Sequence, residues 1–382
     1  MTYLAPVVRF RWRDTDAPPG SRVTTLELFF DLVFVFTITQ LTGLLEGDLT
    51  PAGAARVFLV FGVLWYMYGG YAWLTNQVPP RRPPQQLLLL VGMAGFLVTA
   101  VAVSHAFDDT GVVVGFGYLV VVCVHLVLLS QSSASVGVKR LAPFNLASAA
   151  LILAAGFVDG RQMYALWVAA FVLQAVTPYL GVAPHFELDP GHFVERHGLL
   201  MIVALGETVI AIGLSVDTDH LTAGVVGAVV LALALPAALW WAYFSGDDEA
   251  AERVLAGAEP GPRALLAIRA YFYAHIPMLL GLVVASAGLH EAVAHPGAPM
   301  SVGGAVALGG GAALFLGGDA EFRRVLHVGP ARSRVVAATA ALATVPLGLV
   351  AAAVIQLGVL VVVIAAMLVV ENLVLSPVAT EG

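Results

Sequence analysis

Six side chains have the types and positions to handle protons or ions in an otherwise apolar chain: Glu27, Asp31, Glu195, Glu207, Arg269 and His275. Glu27 and Asp31 are four residues apart, which on a helix stacks them one turn above the other on one face. Two carboxylates that close repel one another when both are ionised, so the pair suits proton carriage or cation coordination. Glu207 follows Glu195 by twelve residues, about 18 Å along a helix at 1.5 Å per residue. Gly206, beside it, admits a neighbouring backbone. Arg269, Tyr271 and His275 precede Pro277, which removes a backbone donor and kinks the helix beside the histidine. Arg269 is expected to pair with Glu195 or Glu27. Tyr271, His197, His290 and Glu291 are secondary candidates. The ordinary alternatives are an N-terminal cap for Glu27, a strut for Glu207 and a hydrogen-bonded core residue for His275.

These groups need elements that hold them in place, and the composition says which. Of 382 residues, 59% are hydrophobic and 11% charged, with mean hydropathy +0.90. A soluble domain carries about 25% charged residues, so this chain cannot cover a water-facing surface. It reads as all-α, a polytopic transmembrane helical bundle whose first partner is the lipid bilayer. Eighteen Lys+Arg against 25 Asp+Glu leave no cationic face for nucleic acid. An acid at the centre of a membrane helix costs roughly 2.5–3.5 kcal/mol, so such groups face the bundle interior and mark a site or pathway.

Runs of about 20 apolar residues predict twelve helices over 24–43, 51–77, 85–106, 111–131, 142–158, 161–180, 191–214, 221–245, 263–290, 301–317, 333–350 and 354–375. The last two share one uncharged stretch that breaks around Pro346 and Gly348. Glu27 and Glu195 each stand at the start of a helix, and Trp73 and Tyr243 follow them at similar distances. That spacing suggests a six-plus-six parallel repeat. The expected organisation is an N-terminal segment 1–23, a first half 24–180, a linker 181–190, a second half 191–375 and a tail 376–382.

Charges between the runs give an orientation. Arg9, Arg11, Arg13 and Arg22, then Arg81 and Arg82, Lys139 and Arg140, Arg253 and Arg263, and Arg323, Arg324, Arg332 and Arg334 fall in alternate connections. The other connections carry Glu46 and Asp48, Asp108 and Asp109, Asp159, and Asp217 and Asp219, with only Arg56 and Arg161 near them. Positive residues stay cytoplasmic, so both termini are expected in the cytoplasm. The first run lacks a cleavage site and is expected to be retained.

Catalytic and metal motifs fail on spacing. His295 lies one residue too far from His290-Glu291 for a zinc-protease helix, and no Walker A sequence is present. The connection His185-Phe186-Glu187-Leu188-Asp189-Pro190-Gly191-His192 holds ligand types in no known metal pattern, and the lone Cys123 excludes a disulfide framework. We expect no enzyme, no cofactor and no metal.

Three stretches carry a resemblance. Thr25 to Phe36, reading TLELFFDLVFVF, is similar to the opening signature of the bacterial low temperature requirement protein A family. Glu195-Arg196-His197-Gly198 continuing to Leu205-Gly206-Glu207-Thr208-Val209, and Arg269 through Pro277 to Glu291, resemble its later signatures. The resemblance implies an integral protein of the bacterial inner membrane and names no activity. The residues themselves fit a secondary transporter or proton-coupled permease for an unknown small solute or ion. An ion channel or proton pathway, or a membrane enzyme or assembly factor in cold-growth physiology, are the alternatives.

Overall fold

The computed structural model describes residues 22–131, 135–179, 188–216, 218 and 221–375. Arg9, Arg11, Arg13, residues 181–187 of the expected linker, Asp217, Asp219 and the tail 376–382 lie outside the described residues. The chain is a bundle of helices: α1 (Thr25–Gly47), α2 (Pro51–Gln77), α3 (Pro83–Ala102), α4 (Gly111–Leu129), α5 (Ser135–Ala155), α6 (Gly160–Val176), α7 (Pro190–Leu214), α8 (Ala223–Tyr243), α9 (Asp247–Gly257), α10 (Pro260–Ala267), α11 (His275–Ala294), α12 (Val302–Leu326), α13 (Ala331–Ala343), α14 (Val345–Val350) and α15 (Ala353–Val370). A π-helical turn, Ile268–Tyr273, joins α10 to α11 in one rod. Ten of these spans are long and apolar enough to cross a membrane, and with α5 and α6 they occupy the twelve predicted positions.

The helix starts follow from local chemistry. The Thr24, Thr50, Asp189, Thr222 and Ser301 side chains each accept a backbone N–H of the first turn, satisfying donors that have no partner within the helix. Pro51, Pro83, Pro190 and Pro260 stand in first turns, where the missing N–H costs nothing. The predicted break near Pro346 falls at Ala351–Ala352, with Pro346 inside the opening turn of α14. One helix is much longer than expected. α12 runs on to Leu326, so Arg323 and Arg324 belong to its last turn and not to a connection.

Burial orders the bundle. In α2, 83% of the most apolar window is inside, and in the α10–α11 rod 72%, against 28% for the α8–α9 stretch and for α13–α14. α2 and α11 therefore form the centre. Large apolar side chains such as Leu87, Val101, Phe116, Val230, Val336 and Val362 point outward, as they must on a surface that faces acyl chains. The α11–α12 contact is held by glycines. A Cβ added at Gly281 would meet the Phe315 backbone nitrogen at 2.6 Å, and one at Gly318 the Ala274 carbonyl at 2.7 Å. Such close approach is the small-residue packing of membrane helices.

Candidate functional site

α1 meets α7, and both meet α11. At one end of the α1–α7 contact, buried charges converge. The Thr24 backbone and hydroxyl donate to Glu27, which closes a capping box. Glu27 also receives Arg196 of α7 at 3.1 Å and His192 at 3.2 Å. The second arm of Arg196 reaches Asp31, also at 3.1 Å, and the Tyr68 hydroxyl of α2 donates to that same oxygen at 3.0 Å. Thr75 accepts from Arg196 as well. Phe30 and Tyr68 lie 5.6 and 5.8 Å from the guanidinium, covering it with aromatic rings. Glu27, Asp31 and Arg196 are fully buried.

Hydrogen bonding around Asn76 fixes the proton positions. Asp189 N–H donates to Asn76 Oδ1, and Asn76 Nδ2 donates to the Asp189 carbonyl, which fixes the amide. Asn76 Nδ2 also faces His192 Nδ1 at 3.2 Å. A donor needs an acceptor, so Nδ1 is bare and Nε2–H donates to Glu27. His192 is then neutral, and Arg196 alone faces two carboxylates. Asp31 Oδ2 and Arg196 Nε are buried without a partner, where well-satisfied networks leave neither.

The other expected residues fall in different places. Glu195 is exposed, accepting the Val23 backbone N–H at 3.2 Å just ahead of α1. Arg269 is exposed and pairs with neither Glu195 nor Glu27, which corrects the expected ion pair. Adjacent helix positions point about 100° apart, and it is Arg196, next to Glu195, that turns inward. Glu207 is buried in the middle of α7 and faces Thr39 of α1. His275 is fully buried. Its Nδ1 bonds the Ala270 carbonyl at 3.0 Å and its Nε2 the Tyr243 hydroxyl at 3.0 Å. The rings of His197 and Tyr271 pack against it at 5.6 and 5.1 Å. The Ala274 backbone N–H bonds the Arg269 carbonyl five residues back at 3.1 Å and closes the π-turn, so the distortion expected beside Pro277 is present as an extra residue in one helical turn.

His290 and Glu291 lie at the opposite end. His290 Nδ1 meets Ser215 at 2.9 Å and Glu46 at 3.7 Å, while Glu291 caps the start of α12 through Ser301. Among the described residues, no three His, Cys, Asp or Glu are grouped as a metal site. Residues 185–187 of the ligand-bearing connection lie outside the described residues.

A second network escaped the sequence reading because its arginines looked like loop charges. Arg323 of α12 pairs with Asp247 and, at 3.1 Å, with Glu371; Arg334 of α13 pairs with Asp319 at 3.1 Å and with Glu371 at 3.0 Å. Gly246, at φ +98°, provides the left-handed turn that aims Asp247 at Arg323. The signal was Asp319 itself, an acid inside a glycine-rich apolar run and four residues before Arg323.

Architecture and buried charge together define a multi-pass helical membrane protein with an incompletely satisfied ion network between α1 and α7. The family model of the bacterial low temperature requirement A protein (LtrA) matches residues 22–369, and the chain belongs to that family. It is 26% identical over 330 residues to an uncharacterised protein of Rhizobium meliloti (strain 1021), covering 82% of this chain and 80% of the relative. No solved structure matches it.

Proposed function

We propose that this chain is a proton-coupled secondary transporter of the bacterial inner membrane, with Asp31 as its proton carrier and both termini cytoplasmic. The observation that carries the reading is the Arg196 network: one guanidinium against two buried carboxylates, with Asp31 Oδ2 free to take the proton that balances the charge. Removing a proton from Asp31 leaves the cluster with one unbalanced negative charge, which burial in hydrocarbon penalises. Binding a cationic or proton-donating solute, or moving Arg196, changes that balance and couples the two.

Polar groups continue along the same interface toward the other end. Thr39 and Glu207 face one another, Ser286 of α11 donates to Thr208 at 3.1 Å, and Glu46, His290 and Ser215 cluster beyond them. Thr37 and Thr42 keep buried hydroxyls without partners. Between Asp31 and Glu207, Val35 and Ile38 of α1 and Leu200 and Ala204 of α7 are buried and apolar. A path with polar groups at both ends and an apolar closure between them favours alternating access over an open pore. α1 and α7, the first helices of the two expected six-helix halves, meet at this path, as a parallel repeat around a central site requires.

The test is proton flux in proteoliposomes loaded with a pH-sensitive dye and offered a panel of small cations, amino acids and neutral solutes. With the transported solute, wild type moves protons at a saturable rate, Asp31→Asn abolishes the movement and Glu207→Gln slows it at least tenfold. Unsaturable proton conductance without any solute would establish a channel instead. Full flux in both variants would remove the mechanism.

A further inference from the structure

The second buried network carries one negative charge too many. Arg323 and Arg334 face Asp247, Asp319 and Glu371, two guanidiniums against three acids. Asp247, Asp319, Arg323 and Arg334 are buried, and the Glu371 side chain is only 10% exposed. Water does little to offset an excess charge placed there, and a group in that position neutralises instead. Among the described residues, no group of three His, Cys, Asp or Glu could hold a metal ion, so the balancing cation that these residues fit is a proton.

The hydrogen bonds identify the acid that takes it. Glu371 accepts from Arg323 at 3.1 Å and from the Ser333 hydroxyl, with Arg334 at 3.0 Å. Asp247 accepts from Arg323 and stands in the first turn of α9, where unpaired backbone N–H groups favour an anion. Asp319 has no such support. Arg334 Nε lies 3.1 Å from its Oδ2 without making a hydrogen bond, and both Asp319 oxygens are buried with no hydrogen-bond partner. Donors stabilise a carboxylate in its charged form, so the excess charge is least tolerable on Asp319. Nor does this residue sit where it could reach water. It lies seven residues inside the end of α12, about 10 Å at 1.5 Å per residue, and its neighbour Gly318 packs closely on the Ala274 carbonyl. The groups around it are Arg334 of α13, Arg323 one turn on along α12, Asp247 of α9, Glu371 after α15 and Tyr243 of α8. His275 of α11 stands behind Tyr243, 3.0 Å from its hydroxyl.

We propose that Asp319 is a second proton-binding site, filled while the network is closed around it. With the proton in place, Arg323 balances Asp247 and Arg334 balances Glu371. When it leaves, a third carboxylate stands among them without a third guanidinium, and the repulsion falls on the contacts that α12 makes with α9, α13 and the end of α15. None of these residues belongs to the Arg196 network, so the site stands whether or not Asp31 carries protons.

The experiment is infrared spectroscopy of the full chain in lipid vesicles, reading the C=O stretch of protonated carboxyl groups and its downshift in D2O. Asp31→Asn serves as the shared background, which removes the first network's candidate. At neutral pH the spectrum with Asp319 minus the spectrum with Asp319→Asn shows one such band, with the intensity of one carboxyl per chain, and replacing Na+ by choline leaves it unchanged. Raising the pH bleaches the band, and through the same interval the protein with Asp319 loses thermal stability relative to Asp319→Asn. Isotope-labelled aspartate shifts the band without any further substitution, so the assignment can be read even where Asp319→Asn fails to fold. Three results would overturn it: no difference band, a band that grows only when Na+ is withdrawn, or a band that survives Asp319→Asn and disappears in Glu371→Gln.

Discussion

Replacing Arg196 by methionine tests whether the buried network is energetically coupled. The arginine holds Glu27 and Asp31 at 3.1 Å each. Once it is gone, Glu27 keeps His192 at 3.2 Å and the Thr24 cap, while Asp31 keeps only the Tyr68 hydroxyl at 3.0 Å. Breaking a buried pair from one side costs about 3–5 kcal/mol, and in the deprotonated state of Asp31 most of it falls on that carboxylate. Asp31→Asn removes the stranded charge and can still accept from Tyr68. The double variant Arg196→Met with Asp31→Asn should therefore cost only about 1–2 kcal/mol, the net value of the lost hydrogen bonds. The two single changes then sum to more than the double by about 2 kcal/mol or more, a coupling of the size found within one network. Reversible SDS unfolding of the four proteins in mixed micelles measures it. Additivity within about 0.5 kcal/mol would show that Arg196 and Asp31 sit side by side without depending on one another.

Two further outcomes follow from packing. Gly288→Ala pushes a methyl into the Leu308 backbone, and Gly317→Ala meets nothing within 4 Å; the first should lose about 1–3 kcal/mol and the second gain up to about 1 kcal/mol, read as shifts in the same unfolding curve. Arg334→Met leaves buried Asp319 without its guanidinium, while Glu371 keeps Arg323, and should cost about 3–5 kcal/mol, whereas exposed Arg269→Ala should stay within about 0.5 kcal/mol. Equal thermal stability of these two arginine variants would contradict the second network.

The helices were legible because a membrane imposes a length, and apolar runs of that length leave few places to stop. Glu27 and Asp31 were legible because an acid among phenylalanines has few cheap explanations. What faces them was not. The partner is decided by which side of α7 packs on α1, and a rotation of one residue exchanges Glu195 for Arg196. The arginines at 323 and 334 were misplaced for a different reason. Positive charge near a helix end fits a loop as well as a buried pair, and only the extension of α12 to Leu326 and the start of α13 at Ala331 separate the two. His192 was read as the end of a ligand-bearing connection, although Asp189 before it caps α7 and so draws it into the helix.

The two ion networks also differ in when they can form. Arg334 follows Asp319 by fifteen residues, so the pair is complete almost as soon as α13 is made. Arg196 is 165 residues beyond Asp31, an interval of about ten to thirty seconds at ribosomal rates of 5–20 residues per second. During that interval α1 is in the membrane with two acids and no guanidinium. Newly inserted α1 must therefore shelter its carboxylates at the lipid headgroups or carry them protonated, and it settles into its native depth only when α7 arrives. Biogenesis of this protein has a built-in waiting step, and its length is set by the distance along the chain between an acid and its arginine.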